Sequence, residues 1–144
     1  MEQEKTFREL GIDERILHAL DDKGLSVPTK VQQEAIGPLM DWRDVIAKAP
    51  TGTGKTFAFG IPMIQHIDPE NEQIQALVLA PTRELALQIG DELRGLLTYY
   101  QGIRVAVLYG GAGIGGQIKQ LERKPQIVVA TPGRLMDHYN RKTI

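Results

Sequence analysis

Four short aliphatic runs stand out along the chain: D-V-I-A-K-A at 44–49, Q-A-L-V-L-A at 75–80, R-V-A-V-L at 104–108 and Q-I-V-V-A at 126–130. Each is nearly continuous in apolar residues rather than alternating, the pattern of a strand covered on both faces. Between them the apolar positions change to helical spacing. Ile16, Leu17 and Leu20 line a short helix that stops near Gly24, and Val31, Ala35, Ile36 and Leu39 line a second. Leu85, Ile89, Leu93, Leu96 and Leu97 form one face of a third, ended by Gly102, while Pro62 is expected to kink or divide the helix after residue 54. Strands alternating with helices predict an α/β domain built on a parallel sheet.

Three of the strand-like runs share a grammar, in which the run ends in alanine and a Pro/Thr turn leads into a helix: P-T-G-T-G-K-T, P-T-R-E-L-A-L-Q and T-P-G-R-L-M. The fourth ends in the glycine-rich loop Y-G-G-A-G-I-G-G. No linker or low-complexity tract divides the chain, and 144 residues suit one domain able to bury about two thirds of its unfolded surface.

Composition narrows the chemistry. Seventeen Lys and Arg against eighteen Asp and Glu leave a net charge of −1, so contact with nucleic acid has to be local rather than driven by a global basic field. The absence of cysteine excludes disulfides, thiol catalysis and cysteine-based metal sites, and fits a reducing, cytoplasmic setting. No apolar run approaches the length of a membrane span or a secretory core. His18, His66 and His138 show no metal-ligand spacing and read as core or surface residues.

The stretch A-P-T-G-T-G-K-T at 49–56 meets every fixed position of the phosphate-loop pattern except the first, where Ala49 replaces glycine. Gly52 and Gly54 let successive N–H groups converge, and the helix that follows adds its own free N–H groups and dipole. Residues Ala49, Pro50, Thr51, Gly52, Thr53, Gly54, Lys55 and Thr56 are thus candidates for nucleotide binding, with Lys55 on the β- and γ-phosphates as the catalytic candidate and the Thr56 hydroxyl on Mg²⁺. Upstream, Gln32 offers an amide donor and acceptor that match the adenine edge, and Phe7 offers a ring to stack on it. Thr29-x-x-Gln32 also fits a helix capping box, and Phe7 also fits a core position; the residues alone leave both pairs of readings open.

Taken together, F-x₁₆-G-x₃-P-T-x-V-Q, A-P-T-G-T-G-K-T, P-T-R-E-L-A-L-Q, the Gly-Gly at 110 and 111, and T-P-G-R-L resemble, in order and spacing, the DEAD-box ATP-dependent RNA helicases. The resemblance covers nearly the whole chain. It implies the N-terminal part of a first RecA-like P-loop domain, with helices on both sheet faces and the sheet incomplete; the Q motif lies near 5–33 and the phosphate loop and RNA-facing motifs span 45–135. It further implies ATP and Mg²⁺ as cofactors, Phe7 and Gln32 as adenine readers, and Pro81, Thr82, Arg83, Gly111, Thr131, Pro132, Gly133 and Arg134 as contacts to the RNA backbone. Thr131 as N-cap and Pro132 at the first helical position give T-P-G-R its own reason to present N–H groups to a phosphate, with Arg134 adding charge. Such contacts recognise RNA largely without reading its sequence.

The 144 residues contain neither D-E-A-D nor S-A-T. Asp91, Glu92, Glu122 and Asp137 fall in helical segments and make poor substitutes for an acid at a strand end. The residues by themselves are therefore expected to bind nucleotide at best weakly and without appreciable turnover, a second RecA-like domain being a further partner that the resemblance implies. With the sheet incomplete, Val45–Lys48 are expected to lack ladder partners, which raises self-association through a free edge. A DNA-directed P-loop ATPase and a non-catalytic nucleotide- or RNA-binding module are the alternatives.

Overall fold

The computed structural model describes residues 5–52 and 54–144, so Thr53 of the phosphate loop lies outside the described residues. Six helices and three strands follow in the order α1 (Glu14–Asp22), α2 (Lys30–Met40), α3 (Lys55–Gln65), β1 (Ala76–Leu79), α4 (Arg83–Leu96), β2 (Val105–Leu108), α5 (Ile114–Glu122), β3 (Ile127–Ala130) and α6 (Pro132–Asn140), with a short 3-10 helix at Arg8–Leu10. They fall into two compact units, one reaching to His66 and including Gly95–Tyr100, the other made of Ile67–Arg94 and Gln101–Ile144.

The second unit holds the sheet. All pairings are parallel, in the order β1-β3-β2, so β3 has neighbours on both sides. Its four residues are all buried, as the unbroken run I-V-V-A predicts. Ala106, Leu108, Val128 and Ala130 point to one face, where Leu121 of α5 and Leu135 of α6 pack on them. On the other face α4 lies against β2: Gly90 leaves no room for a Cβ because the Val107 side chain already fills the space. Helices therefore cover both faces, and the parallel α/β fold expected from the sequence is present. The edge strand β1 is less covered, with Leu77 and Leu79 about half exposed.

A buried side chain with no sequence motif ties this unit together. Gln126, fully buried before β3, accepts from the Arg104 N–H at 2.8 Å and donates to the Gly102 carbonyl at 2.6 Å. It fixes the entry to β2 against the entry to β3.

In the first unit α1 buries Ile16, Leu17, Ala19 and Leu20, and the Asp13 carboxylate caps it by accepting from the Arg15 N–H at 2.8 Å. Gly24, at φ +72°, makes the left-handed turn after it. Helices α2 and α3 pack on each other, burying Ala35, Ile36, Ala58, Ile61 and Ile64.

Two expectations are corrected. The run at 44–49 forms no strand: Val45–Lys48 have no ladder, and Ile46 is fully exposed. A strand exists only where a neighbour takes its N–H and C=O groups, and no such neighbour is among the described residues. Pro62 does not divide its helix; α3 runs unbroken from Lys55 to Gln65 with Pro62 buried inside. The missing N–H removes one hydrogen bond, which burial of the surrounding Gly60, Ile61, Pro62 and Ile64 offsets.

Replacing Gln126 with Ala should lower stability by about 2 kcal/mol, because it strands the Arg104 N–H and the Gly102 carbonyl. Urea unfolding measures this, and an unchanged midpoint would show that water replaces the amide without loss.

Candidate nucleotide and nucleic-acid site

In the first unit Gly54 sits at φ +79° immediately before α3 and serves as its N-cap without a capping side chain. The first-turn N–H groups of α3, at Lys55 and Thr56, are thus left without a side-chain acceptor, and the Lys55 side chain is exposed. An uncapped helix start with a lysine beside it suits an anion. Gly52, at φ +84°, takes the second left-handed position in the loop, as the sequence pattern requires.

Gln32 meets this loop directly. Its Oε1 accepts from the Thr29 N–H at 2.8 Å, and its own N–H is directed at the Thr29 hydroxyl at 3.5 Å, which completes the capping box. Its Nε2 donates to the Gly54 carbonyl at 3.1 Å. Capping and loop contact therefore coexist in one side chain. A primary amide carries two N–H bonds and two lone pairs, so Gln32, itself only 3 % exposed, has one donor and one acceptor beyond these bonds. Any side chain at 54 would collide with the Gln32 amide, which gives that glycine a reason beyond its backbone angles.

Phe7 is 3 % exposed, so its ring belongs to the core of this unit, and its N–H donates to the Ser26 carbonyl at 3.2 Å. The core alternative for Phe7 is the one this geometry favours. A cleft of about 680 Å³ opens between the start of α2 and the segment 45–50, lined by Thr29, Lys30, Val31 and Glu34 together with Ala49 and Pro50. Among the described residues no group of three or more His, Asp or Glu side chains is placed to hold a metal ion.

In the second unit the register aligns Leu79, Ala130 and Leu108, so the three strands end level. The loops that leave them carry Pro81–Arg83, Gly110–Gly113 and Thr131–Arg134, at the carboxyl edge where parallel sheets place their ligand sites. The Thr82 hydroxyl accepts from the Leu85 N–H at 3.2 Å. The Arg83 guanidinium lies over the Tyr109 ring, 5.1 Å from its centroid, and one of its nitrogens would be 3.3 Å from a Cβ on Gly111, which also has φ +83°. Thr131 occupies the N-cap position of α6 with Pro132 next, but its hydroxyl makes no capping bond. That corrects the expected capping role. Since Pro132 has no N–H, the donors offered at this helix start are those of Gly133 and Arg134.

Arg134 departs from the simple picture of a charge aimed outward. Its side chain is 15 % exposed, and one terminal nitrogen donates to the Ala112 carbonyl at 3.1 Å and to Gln117 Oε1 at 3.2 Å. Gln117, buried on α5, donates from Nε2 to the Tyr109 carbonyl at 2.8 Å. The same Oε1 is 3.0 Å from Nε2 of His138, which is completely buried. No motif singled out Gln117 or His138; a glutamine and a histidine on the inner faces of amphipathic helices were the only signal.

These motifs have close counterparts elsewhere. The DEAD/DEAH box helicase profile matches residues 29–144, and the chain belongs to that family. It is 47 % identical over 138 residues to the ATP-dependent RNA helicase CshA of Listeria monocytogenes, covering 96 % of this chain and 26 % of that protein. It is 47 % identical over 143 residues to the ATP-dependent RNA helicase DeaD of Escherichia coli, covering 99 % and 23 %. The crystal structure of a DEAD box protein from the hyperthermophile Methanococcus jannaschii superposes with a TM-score of 0.89 at 41 % identity, over 99 % of this chain and 39 % of that one. The chain thus spans about a quarter of the length of the curated relatives it matches.

Burial, and after it the nearby Arg134 charge, hold the His138 pKa below the usual value, with Asp137 opposing and Arg141 adding slightly. Unfolded, the ring takes up a proton near pH ~6.5; folded, only at lower pH. Stability should therefore fall as the pH drops below that value and level off once the folded ring is also protonated. A His138→Gln variant should lose this part of the acid dependence, measurable as thermal midpoints between neutral and mildly acid pH.

Proposed function

We propose that this chain is the nucleotide-binding and RNA-contacting part of an ATP-dependent RNA helicase of the DEAD-box type, whose parent couples ATP binding and hydrolysis to local opening of RNA duplexes. The observation that carries the reading is the bond from the Gln32 amide to Gly54, which places a side chain with one spare donor and one spare acceptor against a loop shaped for phosphates. The spare pair matches N6–H and N7 of adenine. Ala49, Pro50, Thr51, Gly52, Thr53, Gly54, Lys55 and Thr56 bind the triphosphate, the N–H groups opening α3 and the Lys55 ammonium meeting its charge. Phe7 supports the adenine pocket from the core.

Magnesium, when bound with ATP, would neutralise phosphate charge. It prefers oxygen ligands and few protein groups, so the Thr56 hydroxyl in the first turn of α3 fits it as one ligand. None of the four carboxylates Asp91, Glu92, Glu122 and Asp137 ends a strand, each lying within a helix. These residues therefore orient the triphosphate without activating the attacking water, and the chain by itself binds ATP without turning it over.

RNA lies along the loops at the carboxyl ends of β1, β2 and β3, with Pro81, Thr82, Arg83, Gly111, Thr131, Pro132, Gly133 and Arg134 facing its sugar–phosphate backbone. Hydroxyls and backbone N–H groups at these positions favour contact without base reading, and ribose 2′-hydroxyls add a reason to prefer RNA over DNA. A cytoplasmic setting fits a chain without cysteine.

Competition binding with a fluorescent adenine nucleotide tests the nucleotide half. ATP should outcompete GTP by about tenfold, in keeping with the ~1–3 kcal/mol that a bidentate amide–base pair discriminates. Gln32→Ala should abolish that preference, and Lys55→Ala should weaken both nucleotides alike. Equal affinity of the unaltered chain for ATP and GTP would remove the adenine-reading role of Gln32. For the nucleic-acid half, a single-stranded RNA should bind more tightly than the DNA of the same sequence.

A further inference from the structure

Gln117 sits at the meeting point of two of the three loops assigned above to RNA, although it is buried and belongs to neither. Its amide bonds both loops. Nε2 donates to the carbonyl of Tyr109, which opens the glycine loop, and Oε1 accepts from Arg134, which opens α6. Arg134 closes the circuit by donating to the Ala112 carbonyl in the same glycine loop.

The orientation of Gln117 also settles the state of His138. Because Nε2 of Gln117 donates to Tyr109, its oxygen is the atom facing His138, and the contact at 3.0 Å requires a proton on His138 Nε2. Nδ1 of the neutral ring is then an acceptor, and the Thr143 hydroxyl lies 2.7 Å away to donate to it. That hydroxyl is also 3.1 Å from the His138 carbonyl but has one proton to give. The carbonyl already accepts from the Thr143 N–H at 3.0 Å, so the hydroxyl is free to serve the ring. With Arg134 and Tyr109 included, no buried side-chain nitrogen or oxygen among the described residues is left unpaired.

We propose that Gln117 is a positioning residue for RNA binding: through its single amide, oriented by His138, it locks the glycine loop and the start of α6 into one rigid backbone-facing surface. The proposal rests on the RNA reading above. Arg134 spends one terminal nitrogen on the lock, its Nε lies 3.9 Å from the Asp137 carboxylate, and its other terminal nitrogen is the one left for a phosphate. Loss of Gln117 frees Arg134 and the loop to move, and the surface must then be ordered when RNA binds.

The test is the affinity of the 144-residue chain for a labelled uridine oligoribonucleotide, read by fluorescence anisotropy at several salt concentrations. Gln117→Leu should weaken binding about tenfold with the salt slope unchanged, because no phosphate contact is removed. Gln117→Glu keeps the acceptor for Arg134 and His138 but sets an oxygen against the Tyr109 carbonyl, so it releases the glycine loop and should weaken binding about as much as Gln117→Leu. Val129→Ala, which loosens the buried β3 without touching either loop, should leave affinity within about twofold. ¹⁵N chemical shifts of the His138 ring should report an Nε2–H tautomer in the original chain, and a mixture of tautomers in Gln117→Leu. If Val129→Ala costs as much affinity as Gln117→Leu, the lock is only a stability effect and the proposal fails; it fails also if Gln117→Glu, which cannot donate to Tyr109, binds RNA like the original. Should Gln117→Leu not fold, the Glu variant and the ring shifts decide alone: an Nδ1–H tautomer in the original chain overturns the proposal. Absence of RNA binding by the unaltered chain would overturn the RNA reading itself; unaltered binding by Gln117→Leu overturns only the lock.

Discussion

The parallel register of three four-residue strands is the constraint from which the second unit follows. Val78, Val129 and Val107 stand side by side, and so do Leu79, Ala130 and Leu108 one step further on. Because parallel strands rise together, their exits are level, and three loops from distant parts of the sequence arrive at one edge. β3 can hold this position because it is apolar on both faces, and helices α4 and α5 can cover the sheet because they lie in the crossover connections that parallel strands require. The glycines, hydroxyls and arginines of the loops have their neighbours chosen for them by that register.

In the first unit the organising contact is smaller. One amide, that of Gln32, completes the start of α2 and at the same time holds the turn before α3. A capping box is usually a local device worth about 1 kcal/mol. Here the other end of the same amide reaches across 22 residues to Gly54, so the start of one helix is tied to the start of another. Coupling of this kind means that a ligand drawing on the spare donor and acceptor of Gln32 meets a loop already held in place.

Much of the fold was legible because its signals are local. The unbroken runs at 76–79, 105–108 and 127–130 are strands, and the three- and four-residue spacings of Ile16–Leu20, Val31–Leu39 and Leu85–Leu96 are helices, the last of which ends at Leu96 and so before the Gly102 expected to end it. Left-handed turns fall on Gly24, Gly52, Gly54, Gly102 and Gly111, where only glycine adopts them freely. The exception is instructive. Val45–Lys48 has the composition of a strand and is none, since β structure, unlike a helix, is completed by a partner from elsewhere in the chain. Pro62 misled in the opposite sense, because a helix packed along one side tolerates the loss of one hydrogen bond.

The sequence by itself determined most of the elements, the phosphate-loop pattern and the family to which its ordered motifs belong, since each of these is written in residues close together along the chain. Only the tertiary structure decided the strand order β1-β3-β2, the double duty of Gln32, the burial of Phe7 and the inward turn of Arg134 onto Ala112 and Gln117. The physical reason is common to all four. A hydrogen bond or a packed ring between residues far apart in sequence depends on where the backbone brings them, and residue spacing carries no record of that distance.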